Sequence, residues 1–235
     1  ETVTLDGKKI RLYANIGNSK DLASVLQNDA AGIGLFRSEF LFMDRDALPT
    51  EDEQFEAYRT AAQTMAGKPL IIRTLDVGGD KKLPTLELPH EDNPFLGFRA
   101  IRMTLSHPEI FRPQLRAILR AAAYGDVRVM FPMIGSLEQL RAAKAMLAEQ
   151  AESLRAEGVQ TGAVKVGMMV EIPAAAILAE EFAKEVDFFS IGTNDLTQYT
   201  LAVDRQNAKL DRFYDPHHPA VLKMIRMVIN SAHRE

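Results

Sequence analysis

Two carboxylates follow short apolar runs in the second half of the chain. Residues 166–170 lead directly into Glu171, and residues 186–191 lead into Asn194 and Asp195. A strand, a helical segment and a second strand predict a parallel pair whose carboxyl ends lie on one edge of the sheet. Two carboxylates, with waters and ligand oxygens, are a usual arrangement for Mg²⁺, so we predict a site for this ion. The alternative is that each acid only caps the helix after it.

Four arginines stand at such strand ends or in the segments that follow them: Arg37, Arg73, Arg99 and Arg205. Guanidinium groups match phosphate and carboxylate groups bidentately. Together with the two carboxylates they favour a small phosphorylated acid bound as a metal complex, with Asn194 as a neutral donor. The alternative is that the arginines form solvated salt bridges with Asp76, Glu39 or Asp204, each worth little.

Six strands alternate with helices along the chain. We predict strands at 10–16, 32–36, 69–75, 127–133, 166–170 and 186–191. Alternation of this kind indicates a parallel sheet covered by helices, and both the open doubly wound fold and the closed barrel fit it. No G-x-G-x-x-G turn opens the first helix, so a dinucleotide fold lacks its fingerprint. If the fold is a barrel, two βα units are missing.

Local signals predict where the helices begin. Capping boxes are expected at three pairs: Thr50 with Glu53, Ser106 with Glu109, and Ser136 with Gln139. A helical segment is predicted over 95–105, with Arg99 and Arg102 on it. The preceding excursion, from Gly78 through Asp80, Lys81 and Lys82 to Pro94, has no helical period and is expected to be a functional loop.

The composition is that of one globular domain over residues 1–235, with 46% hydrophobic and 26% charged residues. A net charge of −4 gives no field that would recruit nucleic acid or an anionic membrane. The absence of cysteine excludes disulfides, Cys-ligated zinc and a thiol nucleophile within the chain. Without an apolar run of about 20 residues or a signal peptide, no membrane insertion and a cytoplasmic location are expected.

Several long motifs, in order, resemble a known family. The runs are GIGLFRSEFLF, IIRTLDVGGDKKLP, NPFLGFRAIR, VMFPMI, VEIPAAA and FFSIGTNDLTQYTLAVDR. They are similar to the C-terminal, phosphoenolpyruvate-binding barrel domain of enzyme I of the bacterial phosphotransferase system. The resemblance covers the chain from Ile10 to His233, and it implies a (β/α)8 TIM-type barrel of which about six of eight units are present.

The resemblance also implies residue roles. The phosphoenolpyruvate ligands would be Arg37, Arg73, Arg99, Arg205, Asn194 and Asp195. The two Mg²⁺ ligands would be Glu171 and Asp195. Gln206 stands where the family usually has glycine, which could shift the loop that carries Arg205.

The resemblance implies partners that lie outside this sequence. The family passes phosphate from phosphoenolpyruvate to a histidine of a separate N-terminal domain, and then to the phosphocarrier protein of the sugar phosphotransferase system. A cysteine protonates the resulting enolate, and the barrel domain forms a homodimer. Glu235 precedes the position of that cysteine and of the last two strands, so no catalytic residue is assigned. The chain alone is expected to bind the ligand weakly or not at all and to show no turnover.

Two other functions fit the same residues. The chain could be a fragment of pyruvate phosphate dikinase or phosphoenolpyruvate synthase, which share the barrel and part of the pattern. It could also be a non-catalytic dimerisation or regulatory module. Whether the parent system serves sugar uptake or nitrogen regulation stays open.

Overall fold

A computed structural model describes residues 2–79, 83 and 85–235. The strands of this part of the chain are β1 (Ala14–Ile16), β2 (Ile33–Arg37), β3 (Leu70–Arg73), β4 (Val127–Phe131), β5 (Lys165–Val170) and β6 (Phe188–Ile191). They follow one another in the sheet in sequence order, and the pairs β1–β2, β2–β3 and β5–β6 are parallel. A doubly wound sheet reverses its strand order at a switch point, whereas a barrel does not. The predicted incomplete barrel, with six of eight βα repeats, is therefore confirmed.

The helices cover the sequence between these strands. In the described part of the chain they are α1 (Leu22–Gln27), α2 (Glu51–Met65), α3 (Ile101–Ser106), α4 (Pro108–Ala121), α5 (Leu137–Ala156), α6 (Pro173–Ile177), α7 (Ala179–Ala183), α8 (Thr193–Leu201) and α9 (Pro219–Arg234). Among the described residues, no helix combines the length and the apolar character that a bilayer crossing requires.

The contacts of the chain group into two compact units. Unit 1 comprises Glu1–Val129 and Met146–Val164, and unit 2 comprises Met130–Ala145 and Lys165–Glu235. The single domain expected over residues 1–235 stays a prediction.

The excursion after β3 in unit 1 contains apolar residues that pack into the core. Leu83 is buried in a cluster with Leu75 and Val77, and Leu86 and Leu88 pack against that cluster. Asp80, Lys81, Lys82 and Pro84 lie outside the described residues. The functional loop predicted here thus has its own hydrophobic attachment to the unit.

Two of the predicted helix starts are confirmed. Thr50 Oγ1 accepts a hydrogen bond of 3.1 Å from the Glu53 amide, and Ser136 Oγ accepts one of 3.2 Å from the Gln139 amide. Each bond satisfies one of the backbone donors that a helix leaves unpaired in its first turn.

The third start, Ser106 with Glu109, is wrong. Ser106 is the last residue of α3, and α4 begins at Pro108 after His107. A residue before proline is pushed out of the helical region, and His107 has φ −125° and ψ 71°. The Glu109 carboxylate instead contacts the His107 ring, with 2.9 Å between Glu109 Oε1 and His107 Nδ1.

The helix predicted over 95–105 is also partly wrong. A 3₁₀ turn covers Pro94–Leu96, and α3 begins only at Ile101, so Arg99 precedes the helix that carries Arg102. The Ala100 amide donates to the Val77 carbonyl oxygen at 2.9 Å, and this tertiary bond replaces a helical one. The backbone of Arg99 is thereby tied to the segment after β3.

We expect Thr50→Ala to lower the free energy of unfolding by about 0.5 to 2 kcal/mol, because the amide of Glu53 loses its cap. Thr60→Ala is the matched control, since Thr60 is an exposed residue within the same helix. Alanine has the higher helix propensity, so the control should be neutral or slightly stabilising. Chemical denaturation followed by circular dichroism measures both; equal losses in the two variants would contradict the capping role.

Candidate active site

Unit 1 contains a buried cluster of two arginines and two carboxylates. Arg73 and Arg99 are only 6% and 4% exposed, and Glu39 and Asp76 are buried beside them. Arg73 Nη2 donates to Glu39 Oε1 at 2.7 Å, and its Nη1 lies 3.5 Å from Asp76 Oδ2. Arg99 Nη2 lies 3.0 Å from Asp76 Oδ1 and 3.2 Å from Oδ2. The formal charges of the four side chains cancel.

Strand register and short spacings build this cluster. Arg37 and Arg73 are paired residues at the ends of β2 and β3. Glu39 follows the first by two positions, and Asp76 follows the second by three. The alternative interpretation from the sequence named the correct acids for Arg73, yet the pairs are buried rather than solvated. Buried guanidinium groups are held in fixed orientations, which an anion site requires.

Close backbone packing holds Arg99 in this cluster. A Cβ built on Gly78 would lie 2.5 Å from the Arg99 Cβ, so only glycine fits at this position. Gly78 also has φ +109°, which disfavours other residues independently. The Arg99 guanidinium carbon lies 5.7 Å from the centre of the Phe95 ring.

Arg37 differs from Arg73 and Arg99 in having no ion pair among the residues that the structure describes. Its Nε is buried and has no hydrogen-bond partner among the residues that the structure describes, and the same holds for the Thr74 hydroxyl next to Arg73. The Arg37 guanidinium carbon lies 5.2 Å from the centre of the Phe40 ring. Buried polar atoms without partners are uncommon, and they call for an explanation such as a ligand.

In unit 2, Glu171 is fixed by backbone groups. Its side chain is 1% exposed, and Oε1 accepts a hydrogen bond of 2.6 Å from the Met133 amide. Met133 has φ +57°, an uncommon conformation for a non-glycine residue and one that is often found at functional sites. A Cβ on Gly192 would lie 2.9 Å from Glu171 Cβ and 3.0 Å from its Oε2. Glycine therefore leaves the space beside this carboxylate.

Asp195 lies close to Glu171 in the strand order of unit 2. Val170 and Ile191, which end β5 and β6, are paired. Glu171 directly follows the first of these strands, and Asp195 lies in the first turn of α8 after the second, with 7% of its surface exposed. The N-cap of α6 is Ile172 and not Glu171, so the alternative that Glu171 caps this helix is wrong.

Arg205 is attached to α8 through Gln198. The Arg205 amide donates to Gln198 Oε1 at 3.0 Å. The Nε of Arg205, the Nε2 of Gln198 and the hydroxyl of Thr197 are buried and have no hydrogen-bond partner in the described part of the chain. Gln206 does not have a positive φ, and its amide donates to Asp204 Oδ1 at 2.9 Å. Its backbone therefore does not require the glycine that is usual in the resembled family.

Asn194 also belongs to this part of unit 2. The Tyr214 hydroxyl donates to its carbonyl oxygen at 3.1 Å, which connects the start of α8 to the segment before α9.

The oxygen donors of unit 2 fit a hard divalent cation. Glu171 and Asp195 are buried carboxylates at neighbouring strand ends, and the missing side chain at Gly192 leaves room beside Glu171. Within the described residues there is no group of three or more His, Cys, Asp or Glu side chains placed to hold a metal.

The predicted site residues thus divide between the units. Arg37, Arg73 and Arg99 belong to unit 1, and Glu171, Asn194, Asp195 and Arg205 belong to unit 2. Their convergence on one ligand stays a prediction. Five residues for which the sequence predicted no role hold these side chains or their strand ends through hydrogen bonds or close packing: Ser38, Gln114, Met133, Gly192 and Gln198. Of these five, only Ser38 and Gly192 have a recognisable sequence signal, because each stands just after an apolar run that predicts a strand.

Comparison with known proteins shows the family. A family profile described as "PEP-utilising enzyme, PEP-binding domain", where PEP is phosphoenolpyruvate, matches residues 1–235. Curated relatives named phosphoenolpyruvate-protein phosphotransferase are 58% identical in Geobacillus stearothermophilus and 55% identical in Bacillus subtilis (strain 168), over 235 residues. The match covers 100% of this chain and 41% of each relative's length.

A solved structure supports the fold alone. The crystal structure of a citrate lyase from Burkholderia xenovorans LB400 matches with a TM-score of 0.51 and 16% identity, covering 96% of this chain and 63% of that one. The chain belongs to the family of phosphoenolpyruvate-binding domains of phosphoenolpyruvate-utilising enzymes.

Proposed function

We propose that this chain is the phosphoenolpyruvate-binding part of a phosphoenolpyruvate-protein phosphotransferase. The observation that carries the proposal is the identity of 55% to 58% with proteins of that name over the whole chain. The chain spans 41% of the length of these relatives, so activity, substrate and partners are all part of the proposal.

The proposed role of the arginines is to bind the phosphate and carboxylate groups of phosphoenolpyruvate. Arg73 and Arg99 are held in place by Glu39 and Asp76. A guanidinium has five N–H donors, which is more than one carboxylate can accept, so an arginine paired with a carboxylate can still donate to a ligand. The buried Nε groups of Arg37 and Arg205 are donors that an anion would satisfy. Spreading the charge of a phosphoryl group over such donors lowers the barrier to its transfer.

Glu171 and Asp195 are the proposed ligands of Mg²⁺. When bound, this ion would supply electrostatic stabilisation to the phosphoryl oxygens and to the enolate that remains. The contribution of the chain is to hold the two carboxylates: the Met133 amide fixes Glu171, and Gly192 leaves space next to it. That both this pair and the arginines serve one ligand stays a prediction of the family resemblance.

The proposed reaction breaks the bond between the phosphorus and the bridging enol oxygen of phosphoenolpyruvate. The phosphoryl group goes to a nitrogen of a histidine on a separate N-terminal domain and then to the phosphocarrier protein. The electron pair stays on the enolate, which takes a proton to become pyruvate. The proposed role of this chain in the reaction is to bind phosphoenolpyruvate, and the acceptor histidine is assigned to the separate N-terminal domain. A cytoplasmic homodimer is part of the same proposal.

The other two functions have less support. Both relatives named above carry the phosphotransferase name rather than that of a dikinase or synthase. A purely scaffolding module has no need for buried arginine donors without acceptors, whereas a module that binds an anion does.

A chimeric enzyme tests the proposed function. This chain replaces the matching segment of the Bacillus subtilis relative, to which it is 55% identical. We expect the chimera to release pyruvate from phosphoenolpyruvate when phosphocarrier protein and Mg²⁺ are present, and to stop when the ion is chelated. A folded chimera with the native oligomeric state but no pyruvate release would overturn the proposal.

Arg37→Met should raise the KM of the chimera for phosphoenolpyruvate by about 10- to 100-fold, because a charge-assisted hydrogen bond of about 1.5 to 3 kcal/mol is lost. The free energy of unfolding without ligand should change by less than about 1 kcal/mol, since the contact of Arg37 with Phe40 is worth about 0.5 to 1 kcal/mol. Arg45→Met is the control, because Arg45 lies in a solvent-exposed ion pair with Glu53. Similar KM values for both variants would exclude Arg37 from the site.

Gly192→Ala should raise the Mg²⁺ concentration needed for half-maximal activity by about 10- to 100-fold, the usual effect of disturbing a residue that supports a metal ligand. The new methyl group would press on Glu171, while φ −81° at this position allows alanine. Gly135→Ala is the matched control in the same unit, because its Cβ would meet Ile172 and Gln139 at 3.5 and 3.6 Å, ordinary contact distances. Titration of the chimera with Mg²⁺ compares the two, and an unchanged Mg²⁺ requirement in Gly192→Ala would contradict the role of Glu171.

A further inference from the structure

Gln114 of α4 joins the ends of two strands that carry the predicted arginines. Its side chain is 1% exposed. The Oε1 accepts from the Leu75 amide at 2.9 Å, and Nε2 donates to Ser38 Oγ at 2.9 Å and to the Tyr58 hydroxyl at 3.2 Å. Ser38 lies between Arg37 and Glu39 in the sequence. Leu75 directly precedes Asp76 and follows Arg73 by two positions. One buried amide therefore touches both segments that hold the charged cluster of unit 1.

The hydrogen bonds around Gln114 can run in one direction only. A backbone amide is always a donor, so the bond from Leu75 fixes Oε1 as the acceptor and leaves Nε2 to donate. Ser38 and Tyr58 accept from Nε2, and their own hydrogens go elsewhere. The Ser38 hydroxyl donates to the Arg73 carbonyl oxygen at 2.6 Å, and the Tyr58 hydroxyl donates to Gln54 Oε1 at 3.2 Å.

Tyr58 supports this direction. The residue is completely buried, and burial raises the pKa of its hydroxyl above the ordinary value. Tyr58 therefore stays protonated and remains a donor towards Gln54. On the other branch, the chain from Gln114 through Ser38 ends on the backbone of Arg73, the residue whose guanidinium binds Glu39.

We propose that Gln114 is a positioning residue for phosphoenolpyruvate binding: its amide directs the Ser38 hydroxyl onto the Arg73 backbone and so sets the ends of β2 and β3 relative to each other. The inference rests on the proposed function, because the arginines that it positions are the proposed ligands of the substrate. A displacement of about 1 Å at a reacting group can cost about 100-fold in rate, so a residue that only positions others can have a large effect.

Gln150 provides a matched control for burial and size. It lies on α5 in the same unit and is 4% exposed, and its amide donates to its chain neighbour Glu149 at 3.4 Å. Replacing either glutamine by methionine keeps the length of the side chain and removes its polar atoms. A general loss of packing or stability should therefore appear in both variants, whereas loss of the directed hydrogen bonds should appear only in Gln114→Met.

The experiment uses the chimeric enzyme, with phosphoenolpyruvate as the probe. We expect Gln114→Met to lower kcat/KM by about 10- to 100-fold, mainly through a higher KM, because the arginines bind the ground state as well as the transition state. Gln150→Met should stay within about threefold of the parent. Equal effects of the two substitutions at similar melting temperatures would overturn the inference, as would an unchanged KM in Gln114→Met. Inactivity of the parent chimera would instead overturn the proposed function.

A double-mutant cycle keeps the test valid if Gln114→Met does not fold. Ser38→Ala removes the bond to the Arg73 carbonyl oxygen together with the oxygen that accepts from Gln114 Nε2. Gln114→Glu keeps the acceptor for the Leu75 amide, while both hydroxyls would turn towards the new carboxylate. Ser38→Ala and Gln114→Glu should each raise KM. Adding Ser38→Ala to a Gln114 variant should have little further effect, because both substitutions act through the bond from the Ser38 hydroxyl to the Arg73 carbonyl oxygen. The proposed direction of the network would be contradicted if the fold-changes in KM of the two single variants multiplied in the double variant, or if Gln114→Glu had a normal KM.

Discussion

The burial of charge in unit 1 constrains much of its structure. Arg73 and Arg99 are removed from water, and the burial of their charge has a tolerable cost only because Glu39 and Asp76 are buried against them. Removing one partner from such a pair typically costs about 3 to 5 kcal/mol, since the other charge is left uncompensated. The segments after β2 and β3 must therefore keep a fixed register, and the network around Gln114 helps to keep it. The same pairing orients both guanidinium groups before any ligand arrives.

Unit 2 orients its carboxylate by backbone geometry instead of charge. The Met133 amide reaches Glu171 because Met133 adopts a left-handed conformation just after β4. Such a conformation costs about 1 to 3 kcal/mol in a non-glycine residue and persists only where its surroundings require it. Gly192 contributes by lacking a side chain, so the carboxylate keeps its place between two backbone segments.

The sequence was sufficient to predict which residues lie at the strand ends. Arg37, Arg73 and Glu171 end or follow β2, β3 and β5 as expected, because short apolar runs stop where the chain leaves the sheet. It was not sufficient where tertiary bonds override local preference. Arg99 precedes α3 because the backbone beside it binds Val77, and the left-handed conformation of Met133 has no local signal. Gln114 is hard to recognise for the same reason: one amide on a helix gains its role from segments 39 and 76 residues away.

The predicted arginines fall into two physical classes, and the difference is informative. Arg73 and Arg99 have carboxylate partners, whereas neither Arg37 nor Arg205 has an ion pair among the described residues, and the Nε of each is buried there without a hydrogen-bond acceptor. More than about 90% of buried polar groups in folded proteins are satisfied, so each unmet donor marks a free-energy cost of the ligand-free state. An anion that accepts from these donors removes that cost, and its binding is strengthened accordingly. Carboxylates at Arg37 and Arg205 would have satisfied these donors within the protein, but they would also have competed with any bound anion for the same hydrogens.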